Sequence, residues 1–358
     1  MMNRTAVRRR GATVAAAAML LAGSAAWAGT PTVAWQAAGG YPGPFSADGS
    51  VMYMGTSTNF QSTGFQVRRA SDGALLKAIT LPAASQAYDK AAFSPDKQFV
   101  AISLVDSNGV TKIELWSLST GSLVRTITTD AVRNIRGLDI SSNSGLVASM
   151  ERFAYGGGGM LRVFRTSDGA LVLKRGPYLT NSTAFTQFST NGGYLAFFQD
   201  VAFPFGFDIL RTSDWSQVQQ ITPGNSYMIQ WSGPDTAASV WLRGNNSLQI
   251  PYRQVNVPGG LLVRQVSFDD SFRYVTAVTS NNKYLLTYQF QTSDPASPPA
   301  NTLFFLRTSD SGAQVTYTFN STTVSSGTIN PAGTLFSYGI CSSTGACTTY
   351  VAQMPTLP

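Results

Sequence analysis

Among the residue types that can take part in catalysis or bind metals, aspartate recurs most regularly along this chain of 358 residues. Each recurring aspartate stands one or two positions after a serine; they are Asp48, Asp72, Asp96, Asp168, Asp214 and Asp310. Carboxylates at such positions could act as acids or bases or bind Ca²⁺. Aspartate is also favoured in tight turns, because its side chain bonds to its own backbone. Since each copy occurs inside a short turn motif, we interpret these residues as turn residues.

Histidine is missing from the composition, which excludes His-based catalytic triads, His-ligated metal sites and His proton shuttles. The sequence contains two glutamates, Glu114 and Glu151. We interpret Glu114 as a strand residue, whereas Glu151 beside Arg152 leaves a role in a site open. The glycine-rich segment 156–159 lacks the Lys-Ser/Thr of a phosphate-binding loop. The sequence therefore predicts no catalytic residue, no cofactor and no metal.

Two cysteines, Cys341 and Cys347, flank the segment Ser-Ser-Thr-Gly-Ala. In an exported protein this spacing predicts a disulfide across the loop of a hairpin. The alternative is a redox or metal-binding pair, but two thiols without histidine make a poor metal site. Because the closed loop is short, we expect the bond to add about 2 kcal/mol to stability.

An internal repeat organises the elements that hold these residues. Segment 93–127 reads as a polar turn, the apolar strand Phe99–Val105, a loop, a strand, a Thr-Gly turn and a third strand. Copies of its opening turn, 43 to 50 residues apart, begin at Ser46, Ser94, Ser141, Ser189, Ser232, Ser280 and Asn330. The second turn recurs as well, and three of its copies share the phrase Arg-Thr-Ser-Asp, at Arg165, Arg211 and Arg307.

A period in the forties with about four short strands per copy is typical of a β-propeller. On these turns and strands the chain resembles WD40-like and YVTN-type bacterial propellers over nearly all of the sequence after residue 28. The resemblance implies the fold and leaves function open. True WD40 repeats carry Gly-His and Trp-Asp dipeptides; here the nearest equivalent is Trp116-Ser117. We predict an all-β, seven-bladed propeller of four-stranded antiparallel blades.

The last copy of the repeat lacks an outer strand. It has an opening turn at Asn330 and two strand patterns, 335–340 and 348–353. Residues 32–36 form a spare strand pattern that precedes the first copy. We predict that this N-terminal strand pairs with residues 348–353 and completes the last blade, because such pairing removes two exposed strand edges.

Residues 1–28 read as a signal peptide, with four arginines, an apolar segment at 12–22 and a cleavage motif at Ala26-Trp27-Ala28. Residues 29–358 are then a single propeller domain, which predicts a periplasmic or extracellular location. Removing four of the 25 basic residues leaves 25 − 4 = 21 against 18 acidic residues, a net charge of +3. These charges are scattered, so we predict no nucleic-acid partner. No other stretch is apolar for long enough to cross a membrane, so we predict no membrane insertion, and we expect a monomer.

Aromatic residues suggest where a partner could bind. In a propeller the two repeated tight turns lie on one face, and the longer, varied connections lie on the other. The varied connections and the residues beside them contain the predicted binding residues Phe60, Phe153, Tyr155, Tyr178, Phe203, Phe205 and Phe207. The alternative is that these rings pack against the ends of the blades as part of the core.

Three functions fit these observations. The first is a non-enzymatic exported propeller that binds a protein, peptide or glycan through its loop-rich face. The second is a propeller-type hydrolase or lactonase that uses Asp and Arg residues at the channel mouth, and the third is a structural or adhesive component of the cell surface. Buried, converging carboxylates in the channel would favour the enzyme.

Overall fold

Every regular element that the structure describes is a β-strand. The computed structural model describes residues 27–58, 61–81, 86–105, 110–129, 132–153, 159–178, 186–199, 206–221, 231–232, 238–243, 250–268, 273–279, 282–289, 302–309, 313–319, 323–325, 327–342 and 346–357.

The strands follow one another in the order and with the spacing that the repeat predicts. They are β1 (Trp27–Gly29), β2 (Val33–Ala38), β3 (Gly40–Phe45), β4 (Val51–Thr58), β5 (Gln61–Arg69), β6 (Leu75–Thr80), β7 (Gln86–Phe93), β8 (Phe99–Val105), β9 (Thr111–Ser117), β10 (Leu123–Thr128), β11 (Val132–Ile140), β12 (Leu146–Phe153), β13 (Gly159–Arg165), β14 (Leu171–Tyr178), β15 (Thr186–Phe188), β16 (Tyr194–Gln199), β17 (Gly206–Arg211), β18 (Gln217–Ile221), β19 (Trp231–Ser232), β20 (Ala238–Arg243), β21 (Ile250–Val257), β22 (Leu262–Phe268), β23 (Arg273–Val278), β24 (Tyr284–Gln289), β25 (Thr302–Arg307), β26 (Ala313–Thr318), β27 (Thr323–Ser325), β28 (Leu335–Cys341) and β29 (Cys347–Gln353).

These strands form seven sheets, each built around four antiparallel strands. Blades 1 to 6 take their strands in chain order, from β3–β6 in blade 1 to β23–β26 in blade 6. Blade 7 has the order β2-β29-β28-β27. The predicted number of blades and their four-stranded antiparallel construction are confirmed.

The N-terminal strand completes the last blade as predicted. β2 pairs antiparallel with β29, from Val33 opposite Ala352 to Ala38 opposite Thr348. The Thr349 hydroxyl then donates to the Gly40 carbonyl of blade 1 at 2.9 Å, which joins the last blade to the first. The sequence did not predict β1, a short strand that pairs in parallel with β26 at the outer edge of blade 6.

The core consists of apolar clusters between neighbouring blades. One position of the third strand, four residues before the last residue of that strand, is buried in every blade for which it is described. The residues at this position are Phe65, Ile113, Leu161, Phe207, Leu303 and, in blade 7, Thr349. The strand Phe99–Val105, predicted to be covered on both faces, has all five of its central residues buried.

In blades 1 to 4, 6 and 7 the first tight turn is closed by one repeated side-chain hydrogen bond, while that of blade 5 lies outside the described residues. A Ser, Thr or Asn side chain accepts a bond from the backbone N–H five residues later. The distance is 3.2 Å from Val51 N to Ser46 Oγ and 2.8 Å from Phe99 N to Ser94 Oγ. In blade 6 the residue is Thr279, not the predicted Ser280, because Tyr284 N donates to Thr279 Oγ1 at 3.1 Å.

In blades 1 to 4 the second tight turn lies against the first, because the residue that opens it donates its backbone N–H to a carbonyl of the first turn. The Thr166 hydroxyl donates to the Ser144 carbonyl at 2.5 Å, and Thr212 bonds to Gly192 in the same way at 2.7 Å. Both repeated turns therefore lie at one end of the blades, which we call the tight-turn face. Its prediction from the sequence is confirmed.

Polar side chains link neighbouring blades across the tight-turn face. Lys97 Nζ in blade 2 lies 2.6 Å from Asp48 Oδ2 in blade 1. The Arg125 guanidinium donates to three consecutive backbone carbonyls of blade 3, from Thr166 to Asp168, at 2.7 to 3.2 Å. Gly169 follows them with a φ of +76°, and a Cβ there would lie 3.3 Å from Arg125 Cδ, so both backbone conformation and space favour glycine.

Candidate functional site

The recurring aspartates that the structure describes serve the turns. Each accepts a hydrogen bond from the backbone N–H two residues later, as from Ser50 to Asp48 at 3.1 Å and from Ala170 to Asp168 at 2.9 Å. Asp72, Asp96 and Asp214 make the equivalent bond. This arrangement supports the turn interpretation, while Asp310 lies outside the described residues.

The repeated phrase Arg-Thr-Ser-Asp forms a local ion pair. Arg165 Nη1 lies 2.7 Å from Asp168 Oδ2, and Arg211 and Asp214 make the same pair at 3.2 Å. Hydrogen bonds from the turn backbone, and from Ser216 in the case of Asp214, lower the pKa of these carboxyls. Because all four side chains are about half exposed, the repeated pairs organise turns and form no enclosed site.

Glu151 is buried and forms an ion pair with Arg162, whereas the side chain of Arg152 lies outside the described part. Arg162 Nη1 lies 2.9 Å from Glu151 Oε2, and both side chains are at most 4% exposed. The Ser149 hydroxyl donates to Glu151 Oε1 at 2.9 Å. Glu114 accepts a bond from the Trp116 indole within its own strand at 3.0 Å. Both glutamates are therefore held by neighbours within their own blades.

Phe207 belongs to the core, which corrects its prediction as a surface residue. Its side chain is 0% exposed and packs in a cluster with Ile209, Trp231 and Val255 between blades 4 and 5. The repeat contains the signal for this outcome, because Phe207 occupies the same strand position as Leu161 and the other buried residues named above.

The remaining predicted binding residues cannot be compared with the structure. Phe60, Tyr155, Phe203 and Phe205 lie outside the described residues. Phe153 and Tyr178 end strands β12 and β14, but their side chains are also outside the described part. The aromatic binding surface therefore stays a prediction for these six residues.

The predicted disulfide between Cys341 and Cys347 is confirmed. The two sulfur atoms are bonded, and the Cα atoms lie 4.0 Å apart. The residues face each other at the ends of β28 and β29, beside the N-terminal strand that completes blade 7. The disulfide therefore links β28 to β29, the strand on which β2 pairs to complete the blade.

A central cavity of about 500 Å³ is lined by residues of all seven blades. It lies at the tight-turn end of the channel, because Ser46, Pro95, Ser189 and Pro331 of the first turns form part of its wall. A cavity of this size is within the usual range of small-ligand sites. This cavity is therefore a candidate ligand site.

One position of the innermost strand faces this cavity in each described blade. It stands two residues before the side chain that closes the first turn. The residues at this position are Pro44, Ala92, Asp139, Gln187, Ala277 and Thr328. Five of these six residues have no charge, so Asp139 distinguishes blade 3 from the others.

Asp139 lies in the cavity wall and bonds to the next blade. The backbone N–H of Phe188 donates to Asp139 Oδ2 at 2.6 Å. Loss of solvation in the channel raises the pKa of the Asp139 carboxyl from 3.8 to about 7, although hydrogen bonds from the Phe188 and Ile140 backbones oppose the rise. Tyr53 also lines the cavity, and burial raises the pKa of its hydroxyl. Near neutral pH, Asp139 is thus the described lining residue that can change charge.

Asp139 is absent from the predicted site residues because the candidate aspartates are those that recur. When the copies of the repeat are aligned, the position two residues before each opening turn holds one carboxylate, and the other copies have small, amide or hydroxyl side chains there. Its position in a predicted innermost strand would have directed it to the channel.

Two further searches concern only the described part of the chain. Within it, no three Cys, Asp or Glu side chains lie close enough to hold a metal ion. Nor does it include a helix with the length and apolar character needed to cross a membrane.

Comparison with solved structures identifies the architecture. The propeller domain of Cps50 (Swd1) from Myceliophteria thermophila superimposes with a TM-score of 0.64 at 11% identity, covering 89% of this chain and 99% of that one. This chain has a WD40-like propeller fold. Hydrazine synthase from Kuenenia stuttgartiensis superimposes on the propeller with a TM-score of 0.60 at 12% identity, covering 89% and 97% of the two chains. No protein-family model and no curated protein matches the chain.

Proposed function

We propose that this chain is an exported, non-enzymatic propeller that binds a protein, peptide or glycan partner. The observation that supports this proposal is the central cavity of about 500 Å³ at the tight-turn face. Its wall combines hydroxyl groups, an amide, aromatic rings and one carboxyl group, a mixture typical of sites that bind part of a polar ligand. The blades around it supply a scaffold with a repeated, hydrogen-bonded construction.

This proposal places the first contact at the tight-turn mouth of the channel. The loop-rich face remains a second candidate surface, through the predicted residues Phe60, Tyr155, Phe203 and Phe205. A partner that covers one face can insert a side chain into the cavity or rest on the loops, and these two modes depend on different residues.

The alternative is a propeller-type hydrolase, and Asp139 is the observation that favours it. A carboxyl group with a pKa of about 7 has the acidity of a general acid or base near neutral pH. Hydrolysis by carboxylates usually needs a second group to act as nucleophile or complementary base. Among the described cavity residues Asp139 has no second carboxyl beside it, which favours binding over hydrolysis. The two structural neighbours do not decide the matter, because one is a named enzyme and the other a propeller domain.

The test compares variants that place the same bulk at different points of one face. Ala47→Trp and Thr190→Trp each add an indole at the cavity mouth, where both residues are exposed. Ala170→Trp adds the same group to an exposed outer turn and serves as the matched control. Peptide and glycan arrays should bind the wild type and Ala170→Trp alike but lose signal with the two mouth variants. Equal binding by all four proteins would exclude the channel mouth and direct attention to the loops.

Export is tested separately, by intact-mass measurement of the protein recovered from the periplasm and the medium. We expect the chain to begin at Gly29. A chain that retains residues 1–28 in either fraction would contradict cleavage by signal peptidase.

A further inference from the structure

We propose that the central cavity binds a primary ammonium group, with the Asp139 carboxylate as its counter-ion and Gln187 Oε1 as a second hydrogen-bond acceptor. The proposal deepens the proposed function, on which it rests, by naming the ligand chemistry of that site. The ammonium group can come from a lysine side chain or from the amino terminus of a peptide.

Charge complementarity is the first argument. Ser, Thr, Gln, aromatic and small apolar side chains make up most of the described cavity wall, and no Lys or Arg is among them. The described part of the wall therefore carries a single negative charge when Asp139 is ionised. An anionic ligand would meet that charge without a cation to balance it, whereas an ammonium ion would neutralise it.

Hydrogen-bond capacity is the second argument. Asp139 Oδ2 already accepts the Phe188 N–H, which orients the carboxyl group in the wall. Gln187 occupies the equivalent position in the next blade, and its Oε1 is buried without a hydrogen-bond partner. Ammonium supplies three N–H donors, enough for a carboxylate oxygen, the amide oxygen and one nearby hydroxyl.

Aromatic groups beside these acceptors are the third argument. Phe45, Phe188 and Trp231 contribute to the cavity wall. The Trp231 indole donates to the Gln187 carbonyl at 3.2 Å, which holds the ring next to the proposed amide acceptor. Aromatic faces attract cations and also cover the methylene groups of a lysine stem.

Position and charge also predict how binding depends on pH. Tyr53 is the other titratable residue of the described wall, and its raised pKa keeps it neutral in this range. Asp139 must be ionised to pair with ammonium, and its carboxyl has a pKa of about 7 before binding. Affinity for a lysine side chain should therefore increase from pH 6 to pH 8, because its ammonium group stays protonated over this range. For a peptide amino terminus, whose pKa is about 7.7–8.0, the increase should stop near pH 7.5 as the ligand loses its proton.

The experiment measures binding by calorimetry with small probes of known charge. Nα-acetyl-lysine methylamide supplies a side-chain ammonium, and norleucine methylamide supplies an α-ammonium. Nα-acetyl-norleucine methylamide is the neutral control, and Nα-acetyl-glutamate methylamide is the anionic control. A neutral oligosaccharide tests the glycan alternative. The two ammonium probes together show which source of the group the cavity prefers.

Two protein variants assign the effect to the carboxyl group. Asp139→Asn keeps an acceptor for the Phe188 N–H but removes the charge, and Asp168→Asn removes an exposed charge from an outer turn as the control. We expect an ammonium probe to bind the wild type at least about tenfold more tightly than the neutral control. Asp139→Asn should lose about tenfold in affinity, together with its pH dependence, while Asp168→Asn should match the wild type.

Three results would overturn the proposal: no binding of either ammonium probe to folded wild type, equal affinity for neutral and cationic probes, or unchanged affinity in Asp139→Asn. Thermal unfolding of each variant shows whether it is folded. If the mouth-blocking variants lose partner binding while Asp139→Asn keeps it, the proposed function stands and the ammonium proposal fails. If neither the mouth-blocking variants nor Asp139→Asn affects partner binding, the channel is not the binding site and both proposals are wrong.

Discussion

The tight-turn face and the wall of the central cavity lie side by side on the same strands, yet they use the repeat in opposite ways. On the face, equivalent positions hold the same kinds of residue and make the same bonds, as in the Arg-Asp pairs at Arg165 and Arg211. In the cavity wall, equivalent positions hold Pro, Ala, Asp, Gln, Ala and Thr. Repetition here marks residues that build each blade, and variation at a fixed position marks residues free to recognise a ligand.

The largest expected effect concerns a repeated core position. Phe207→Ala should lower the free energy of unfolding by about 3–5 kcal/mol, because it removes a fully buried ring and leaves a cavity between blades. Leu171→Ala is the matched control, since Leu171 is 49% exposed. Urea denaturation measures both changes. A variant as stable as the wild type would contradict the core assignment and restore Phe207 as a surface candidate.

The next prediction concerns the residue that departs from its equivalents in the cavity wall. The Asp139 carboxyl has a raised pKa in the folded state, so the folded protein keeps a proton that the unfolded chain releases between pH about 4 and about 7. Stability should therefore fall as pH rises through this window. From a pKa of 3.8 to one of about 7, the loss is at most about 4 kcal/mol.

Asp139→Asn should flatten this part of the pH profile. Denaturation of the wild type and variant at several pH values between 4 and 8 measures the difference between them. Parallel profiles would show that Asp139 titrates in the folded protein as it does in the unfolded chain.

The disulfide tests the comparison between repeated and variable positions. It occurs in one blade only, yet we expect it to stabilise the structure and not to bind a ligand. Replacing both Cys341 and Cys347 by Ser should cost about 2 kcal/mol, as expected for a short closed loop. Ligand binding at the distant cavity should be unchanged when measured well below the melting temperature. If the double variant kept its stability but changed its affinity for the ligand, the disulfide would have a functional role as well as a structural one.

The smallest effect is expected at the tight-turn face. Arg125→Ala removes hydrogen bonds to three carbonyls of the next blade and should cost about 1 kcal/mol, because water can replace part of the interaction. Arg69→Ala removes an exposed local pair with Asp72 and should change stability little. Equal effects of the two variants would show that the link between blades contributes nothing beyond a local ion pair.

Turn chemistry made the fold predictable from the sequence. The Ser, Thr and Asn residues that close the first turns must be polar, and the strands between them must be apolar, so both patterns survive in every copy. The same reasoning predicted the partner of the N-terminal strand, since one blade was visibly short of a strand. It placed the sixth turn one residue late because Thr279 and Ser280 are both plausible turn residues.

The candidate site was less predictable for a physical reason. Cavity residues are far apart in the sequence and become neighbours only through the arrangement of seven blades. No local spacing in the sequence therefore predicts that they line one cavity. Asp139 resembles any other strand aspartate until the copies of the repeat are aligned. Phe207 was misassigned because its neighbours Phe203 and Phe205 suggested a loop, whereas its position in the repeat placed it in the core.

The pairing of β2 with β29 has a mechanical consequence. Val33 at the start of β2 lies opposite Ala352 near the end of β29, so the start of β2 and the end of β29 lie at the same edge of blade 7. A force that separates the two ends would load these backbone hydrogen bonds one after another instead of all together. Tethered at Val33 and Gln353, the molecule should therefore open at its joining blade under low tension, before the other blades are strained.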